Sequence, residues 1–223
     1  MDKFRVIEIK ESVCANNDRE AEALRGQLKK EGTFLLNLMS SPGSGKTTTL
    51  TKTIAALKDK LSIGVMEADI DGDCDAKTIY GTGAKVIQLH TGGMCHLTAD
   101  MTEQGLRELG TEGIDLAILE NIGNLVCPAE FDTGSSKNAM ILSVPEGDDK
   151  PIKYPLMFSI CDVLLINKID VLPYFDFDMK ACEERVKKLN PNIEIIPISS
   201  KTGDGIDKFA EWLERNVREW QNK

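Results

Sequence analysis

The sequence predicts an α/β fold: a doubly wound, mostly parallel sheet of about seven strands flanked by helices. Three observations predict it. Seven short apolar runs recur along the chain, helical patterns separate most of them, and the loop after the first run is rich in glycine. Continuous apolar runs of this length suit strands buried on both faces of a parallel sheet. Intervening helices supply the crossovers that parallel strands need.

The elements follow in order. Asn17 to Lys30 sets Ala21, Leu24 and Leu28 at helical spacing and ends before Gly32. The strands are expected at FLLNLM (34–39), IGVMEA (63–68), KVIQL (85–89), DLAILE (115–120), AMILSV (139–144), DVLLIN (162–167) and IEIIPI (193–198). A last helix, Asp204 to Gln221, aligns Ile206, Phe209, Leu213, Val217 and Trp220 on one face, a stripe that packs on the sheet. With 223 residues, 41% of them apolar, the chain can bury a sizeable core. No repeat or linker divides it, so residues 1–223 read as one domain with a helical lead-in over about 1–32.

Composition narrows the function. The net charge of −9 argues against a nucleic-acid partner. No apolar run of membrane-spanning length and no signal peptide is visible, so a cytoplasmic location is expected, without a membrane partner. The six cysteines, at 14, 74, 95, 127, 161 and 182, form no CxxC pair and read as reduced thiols, a few of them available as metal ligands.

The strongest motif is SSPGSGKT, Ser40 to Thr47. It lies between a strand and a helix, the context of a P-loop. Gly43, Ser44, Gly45, Lys46, Thr47 and Thr48 are the phosphate-binding candidates. Backbone N–H groups and the helix N-terminus attract phosphate, Lys46 reaches the β- and γ-phosphates, and the Thr47 hydroxyl binds Mg²⁺. Ser40 stands where the P-loop pattern has its first Gly. In LENIG, Leu119 to Gly123, Glu120 can hold Mg²⁺ and the Gly123 N–H can touch the γ-phosphate. In NKID, Asn167, Lys168 and Asp170 select the base, because a carboxylate accepts both N1–H and N2–H of guanine and leaves adenine badly paired. Ser200 and Lys201, in the SSKTG turn, complete the base site. The nucleotide is therefore GTP. Asn124 rather than Gln follows Gly123, and no arginine is placed as a finger, so intrinsic hydrolysis is expected to be slow.

ADIDGDCDAK (68–77) alternates Asp69, Asp71, Asp73 and Asp75 but lacks the EF-hand glycine spacing. Asp69 is the candidate there for a further Mg²⁺ contact, and a solvated turn is the other reading of the loop. TGGMCHL (91–97) sets Cys95 beside His96, and Cys127 lies four residues beyond Gly123. A thiolate–imidazole set suits Ni²⁺ or Zn²⁺. Spacing alone leaves open whether these side chains bind metal or pack as small hydrophobes.

MSSPGSGKTT, HTGGMCHLTADM, LENIGNLVCPAEFDTG, SVPEGDDKP and NKIDVLP together resemble the HypB nickel-insertion GTPases of [NiFe]-hydrogenase maturation, over nearly the whole chain. The resemblance implies a P-loop GTPase of the SIMIBI type that forms a homodimer when GTP binds. It also implies Ni²⁺ or Zn²⁺ on Cys95, His96 and Cys127 near the dimer interface, a HypA-type metallochaperone partner, and the hydrogenase large-subunit precursor as recipient. Some members carry an N-terminal CxxCGC site or a His-rich storage tract. Cys14 stands alone here and only His90 and His96 are present, so neither feature is expected. The competing readings are a urease-accessory GTPase, a GTP-switched scaffold for a cobalamin enzyme, and a small-molecule kinase.

Overall fold

The structure is a computed structural model that describes residues 9–69 and 74–222, with side chains described from Cys14 onward except those of Asp69, Cys74 and Asp75. Seven parallel strands form one sheet: β1 (Phe34–Ser40), β2 (Ile63–Asp69), β3 (Lys85–His90), β4 (Leu116–Glu120), β5 (Lys137–Ser143), β6 (Val163–Asn167) and β7 (Glu194–Pro197). Their order is β3-β2-β4-β1-β5-β6-β7. All seven expected strands are present, and their ends differ from the apolar runs by one or two residues.

β1, β4 and β6 are buried throughout, as expected of strands covered on both faces. On one face Phe34, Leu36 and Leu38 of β1 meet Leu50, Ile54 and Leu57 of α2 (Lys46–Leu57) and Phe209, Leu213 and Val217 of the C-terminal helix, Ile206–Asn222. The periodic stripe of that last helix therefore packs as the sequence predicts. On the other face Leu35 joins Leu24 and Leu28 of α1 (Ile9–Glu31) and Leu106 and Leu109 of α4 (Ala99–Leu109), the helix that follows the short α3 (Cys74–Tyr80). Met39, Met140 and Phe158 centre a neighbouring cluster on that same face.

Asn37 is a polar exception inside β1, 2% exposed. It accepts from Asn121 Nδ2 at 3.0 Å and donates to Asn138 Oδ1 at 3.0 Å, so a buried amide chain joins β1 to the segment after β4 and to β5. Helix α1 is already helical at Ile9, the first described residue, eight positions before the expected Asn17. Ile9 and Val13 stand in phase with the Ala21–Leu24–Leu28 stripe, but the polar Asn17 interrupts it, so the pattern predicts the helix only from there on. Among the described residues, no helix is long and apolar enough to cross a membrane.

Candidate functional site

β1 lies where the strand order reverses, with β4 on one side and β5 on the other. In open parallel sheets, ligands bind beyond the carboxyl ends of the strands at such a point. The Gly-rich loop occupies it. Gly45 is the left-handed N-cap of α2, φ 100°, and a Cβ there would lie 2.6 Å from Asn167 Nδ2. Only glycine fits. The first turn of α2 holds no acidic residue, so its positive end is left for an anion.

Lys46 Nζ donates to Ser40 Oγ at 3.1 Å, and Thr47 Oγ1 donates to Glu120 Oε1 at 3.1 Å. Gly123 closes against the loop, since a Cβ on it would meet Pro42 N at 3.0 Å. A cavity of about 440 Å³ opens between Gly43, Lys46, Thr47, Glu67, Glu120 and Gly123. Glu67 is a residue that motif reading missed. It is 3% exposed and pairs in register with Glu120, itself 1% exposed. Registered neighbours in a sheet project to the same face, so two buried carboxylates stand side by side next to the Thr47 hydroxyl. That donor set fits a hard divalent cation. The visible signal was a glutamate inside an apolar strand, VMEA. The Asp69 side chain, and Asp71 and Asp73 entirely, lie outside the described residues.

A second cavity, about 230 Å³, shares Gly45 and Thr48 with the phosphate cavity and is lined by Lys168, Asp170, Val171, Ser200 and Lys201. Asp170 Oδ1 accepts from Ser199 Oγ at 2.7 Å, which orients the carboxylate. Lys168 has φ 64°, and its Nζ donates to Gly43 O at 2.7 Å, laying the stem along the cavity. Asn167 is fully buried. Its Nδ2 donates to Ser44 O at 2.8 Å, and its Oδ1 accepts from Ser200 N at 3.0 Å and Ser200 Oγ at 2.8 Å. Asn167 and Ser200, which line the cavity, thus tie the base loops to the phosphate loop through the Ser44 backbone carbonyl.

The Cys/His constellation forms beyond the ends of β3 and β4. Cys127 lies close enough to Cys95 to act on its thiol, and Cys95 Sγ lies 3.8 Å from His96 Nδ1. The Cys127 side chain, by hydrogen bonding to it, is the main cause that raises the Cys95 pKa, followed by burial. Burial lowers the His96 pKa, against the opposing charge of Glu130, which favours a neutral imidazole. The His96 ring stacks on Phe131, centroids 3.9 Å apart and planes 12° apart. Among the described residues no three acidic, Cys or His side chains are gathered into a ready-made metal cage. The other described cysteines differ. Cys161 and Cys182 are buried, and burial pushes both thiols up, Cys182 to about 12. Cys14 is half-buried on α1.

Residues 34–197 match the family model described as CobW/HypB/UreG, nucleotide-binding domain. The chain is 43% identical over 214 residues to the hydrogenase maturation factor HypB of Rhizobium leguminosarum bv. viciae, covering 96% of this chain and 72% of that one. It is similar to the crystal structure of HypB from Helicobacter pylori in complex with nickel, with TM-score 0.85 and 40% identity over 92% of this chain and 96% of that one. The fold is also that of the signal recognition particle 54 kDa protein from Aeropyrum pernix in complex with GDP, with TM-score 0.57 and 12% identity over 97% of this chain and 55% of that one.

Proposed function

Because the chain belongs to the HypB family of hydrogenase maturation factors, we propose that it is a GTP-hydrolysing metallochaperone that hands Ni²⁺ to a hydrogenase large-subunit precursor. The carrying observation is that Cys127, seven residues beyond Glu120, and the Cys95–His96 pair both leave carboxyl ends of strands in the sheet that holds the P-loop, with Cys127 near enough to act on the Cys95 thiol. One segment therefore bears both the γ-phosphate sensor and a metal donor.

The nucleotide chemistry follows from the cavities. GTP would draw Lys46 from Ser40 onto its phosphates, the Gly45–Thr48 backbone would cradle them, and Gly123 N–H would contact the γ-phosphate. Thr47, Glu120 and Glu67 would hold Mg²⁺, with Asp69 as a further candidate. Mg²⁺ supplies charge neutralisation on the transferring phosphoryl group. Asp170 and Lys168 would bind guanine, with Lys201 at the rim. Asn124 in place of a water-orienting Gln supports slow turnover.

Ni²⁺ is cargo, taken on Cys95, His96 and Cys127, and Zn²⁺ competes for the same soft donors. A GTP-driven shift of the 120–127 segment would change the Cys127–Cys95 geometry, so nucleotide and metal affinities are linked reciprocally. GTP would also promote a homodimer. Met94, Val126, Ile152, Tyr174 and Phe175 are exposed apolar residues that follow β3, β4, β5 and β6, hence lie at the carboxyl edge where the nucleotide sits. A HypA-type metallochaperone would supply the metal.

The test titrates Ni²⁺ and Zn²⁺ into wild type and Cys95→Ala, each with GDP and with a non-hydrolysable GTP analogue, while light scattering follows mass. Nucleotide-dependent Ni²⁺ affinity that disappears in Cys95→Ala is expected. Equal Ni²⁺ affinity in the two nucleotide states would overturn the coupling.

A further inference from the structure

The loops that carry the metal donors are not joined by the sheet. Cys95 and His96 follow β3 and Cys127 follows β4, and β2 lies between those strands. No ladder hydrogen bond sets the distance from one loop to the other, so that distance depends on side chains that span the seam.

Asn17 of α1 spans it. The residue is 4% exposed and uses both ends of its amide. Its Oδ1 accepts from the backbone N–H of Ala99 at 2.9 Å, and its Nδ2 donates to the backbone carbonyl of Asp132 at 2.9 Å. Ala99 opens α4, so its N–H is a helix-start donor without an intrahelical partner. It stands three residues after His96. Asp132 stands five residues after Cys127 and directly follows Phe131, the ring on which His96 stacks. Arg25, two turns further along α1, grips the Asp132 carboxylate with two hydrogen bonds, 2.8 and 2.7 Å, and donates to Ser135 O at 2.9 Å. One helix thus holds both loops, and the imidazole–phenyl contact of His96 with Phe131 lies along the same seam.

We propose that Asn17 is a positioning residue of the metal site: its amide fixes the separation at which the Cys95–His96 loop faces Cys127 and Phe131. Helix α1 thereby sets coordination geometry without supplying a ligand. A buried asparagine that merely satisfied a helix start would need one hydrogen bond to one loop. Here the two ends of a single planar amide go to the two metal-bearing loops, a rigid link of defined length. Groups behind the ligands commonly tune metal affinity by about 10–100-fold when removed. The inference rests on the metal-site reading above.

The experiment loads the whole chain with Ni²⁺ alone and follows the thiolate-to-nickel charge-transfer absorption together with affinity, measured by competition with a chelator. Asn17→Ala is expected to weaken Ni²⁺ binding about tenfold or more and to shift the absorption band. Asn17→Asp keeps the oxygen that accepts from Ala99 and loses the donor to Asp132, and it is expected to shift the band in the same way. Leu28→Ala, further along the same helix, removes core packing away from the Asn17 and Arg25 contacts. It is expected to lower the melting temperature and leave band and affinity as in wild type. A wild-type band and affinity in Asn17→Ala, or in Asn17→Asp where the alanine variant does not fold, overturns the proposal, as does a Leu28→Ala variant with the same spectral change. A wild-type band in Cys95→Ala removes the metal-site reading itself, and the proposal with it.

Discussion

At the scale of single residues, backbone conformation and paired charge set the behaviour. Gly45 combines φ 100° with a Cβ position 2.6 Å from the fully buried Asn167 amide. Gly45→Ala is expected to cost about 1–3 kcal/mol locally and to abolish tight GDP binding, measured with a fluorescent GDP analogue. Wild-type affinity would show that the phosphate loop is not built on this turn. Asp148 is held below the usual carboxylate range, first by the backbone N–H of Asp178 and then by Arg185. A depressed folded-state pKa stabilises the fold above the unfolded value, about 3.9, and that stabilisation is lost as pH falls through the folded value. Asp148→Asn is thus expected to be about 1–2 kcal/mol less stable than wild type near neutral pH, with the gap narrowing below about pH 4 in urea unfolding. A gap independent of pH would mean that charge is not its cause. The readable residues were those whose motif spacing states a role, such as Lys46, Thr47 and Asp170. Glu67 and Asn37 were legible only as polar letters inside apolar strands, which announces an anomaly without naming its partner.

At the scale of elements, periodicity did most of the work. The C-terminal helix and all seven strands follow from apolar pattern, because burial on a sheet is what the pattern encodes. Helix α1 was legible where Ala21, Leu24 and Leu28 pack, and not over its first turns. Leu28 is 1% exposed against the sheet, so Leu28→Ala is expected to destabilise by about 2–5 kcal/mol in thermal or urea unfolding. A change under about 0.5 kcal/mol would mean that α1 is not part of the cooperative core. That α1 is also the element that holds both metal loops has no periodic signature. Asn17 reads in sequence as an ordinary polar residue near a helix start.

At the scale of the whole molecule, parallel topology gathers every functional loop on one edge. The phosphate loop, the Glu120–Gly123 segment, the Asn167–Asp170 turn and the Cys95–His96 loop all leave carboxyl ends of strands in one sheet. The exposed Tyr174, 82% accessible, follows β6 and is a test point for the proposed GTP-promoted homodimer. Tyr174→Glu is expected to keep GDP affinity and fold while losing association with a GTP analogue, read by light scattering. Undiminished association would place the interface elsewhere. By itself, the sequence determined the α/β class, the strands and the P-loop, and it singled out the NKID turn and the Cys95, His96 and Cys127 side chains on which the proposed function rests, because each is encoded by local period or by residues within a few positions of one another. Only the tertiary structure decided that the Cys127 loop comes near Cys95, that Glu67 stands beside Glu120, and that Asn17 bridges two loops 33 positions apart, from Ala99 to Asp132. These contacts depend on strand order, and strand order is set by how helices cover both faces of the sheet rather than by any local run of residues.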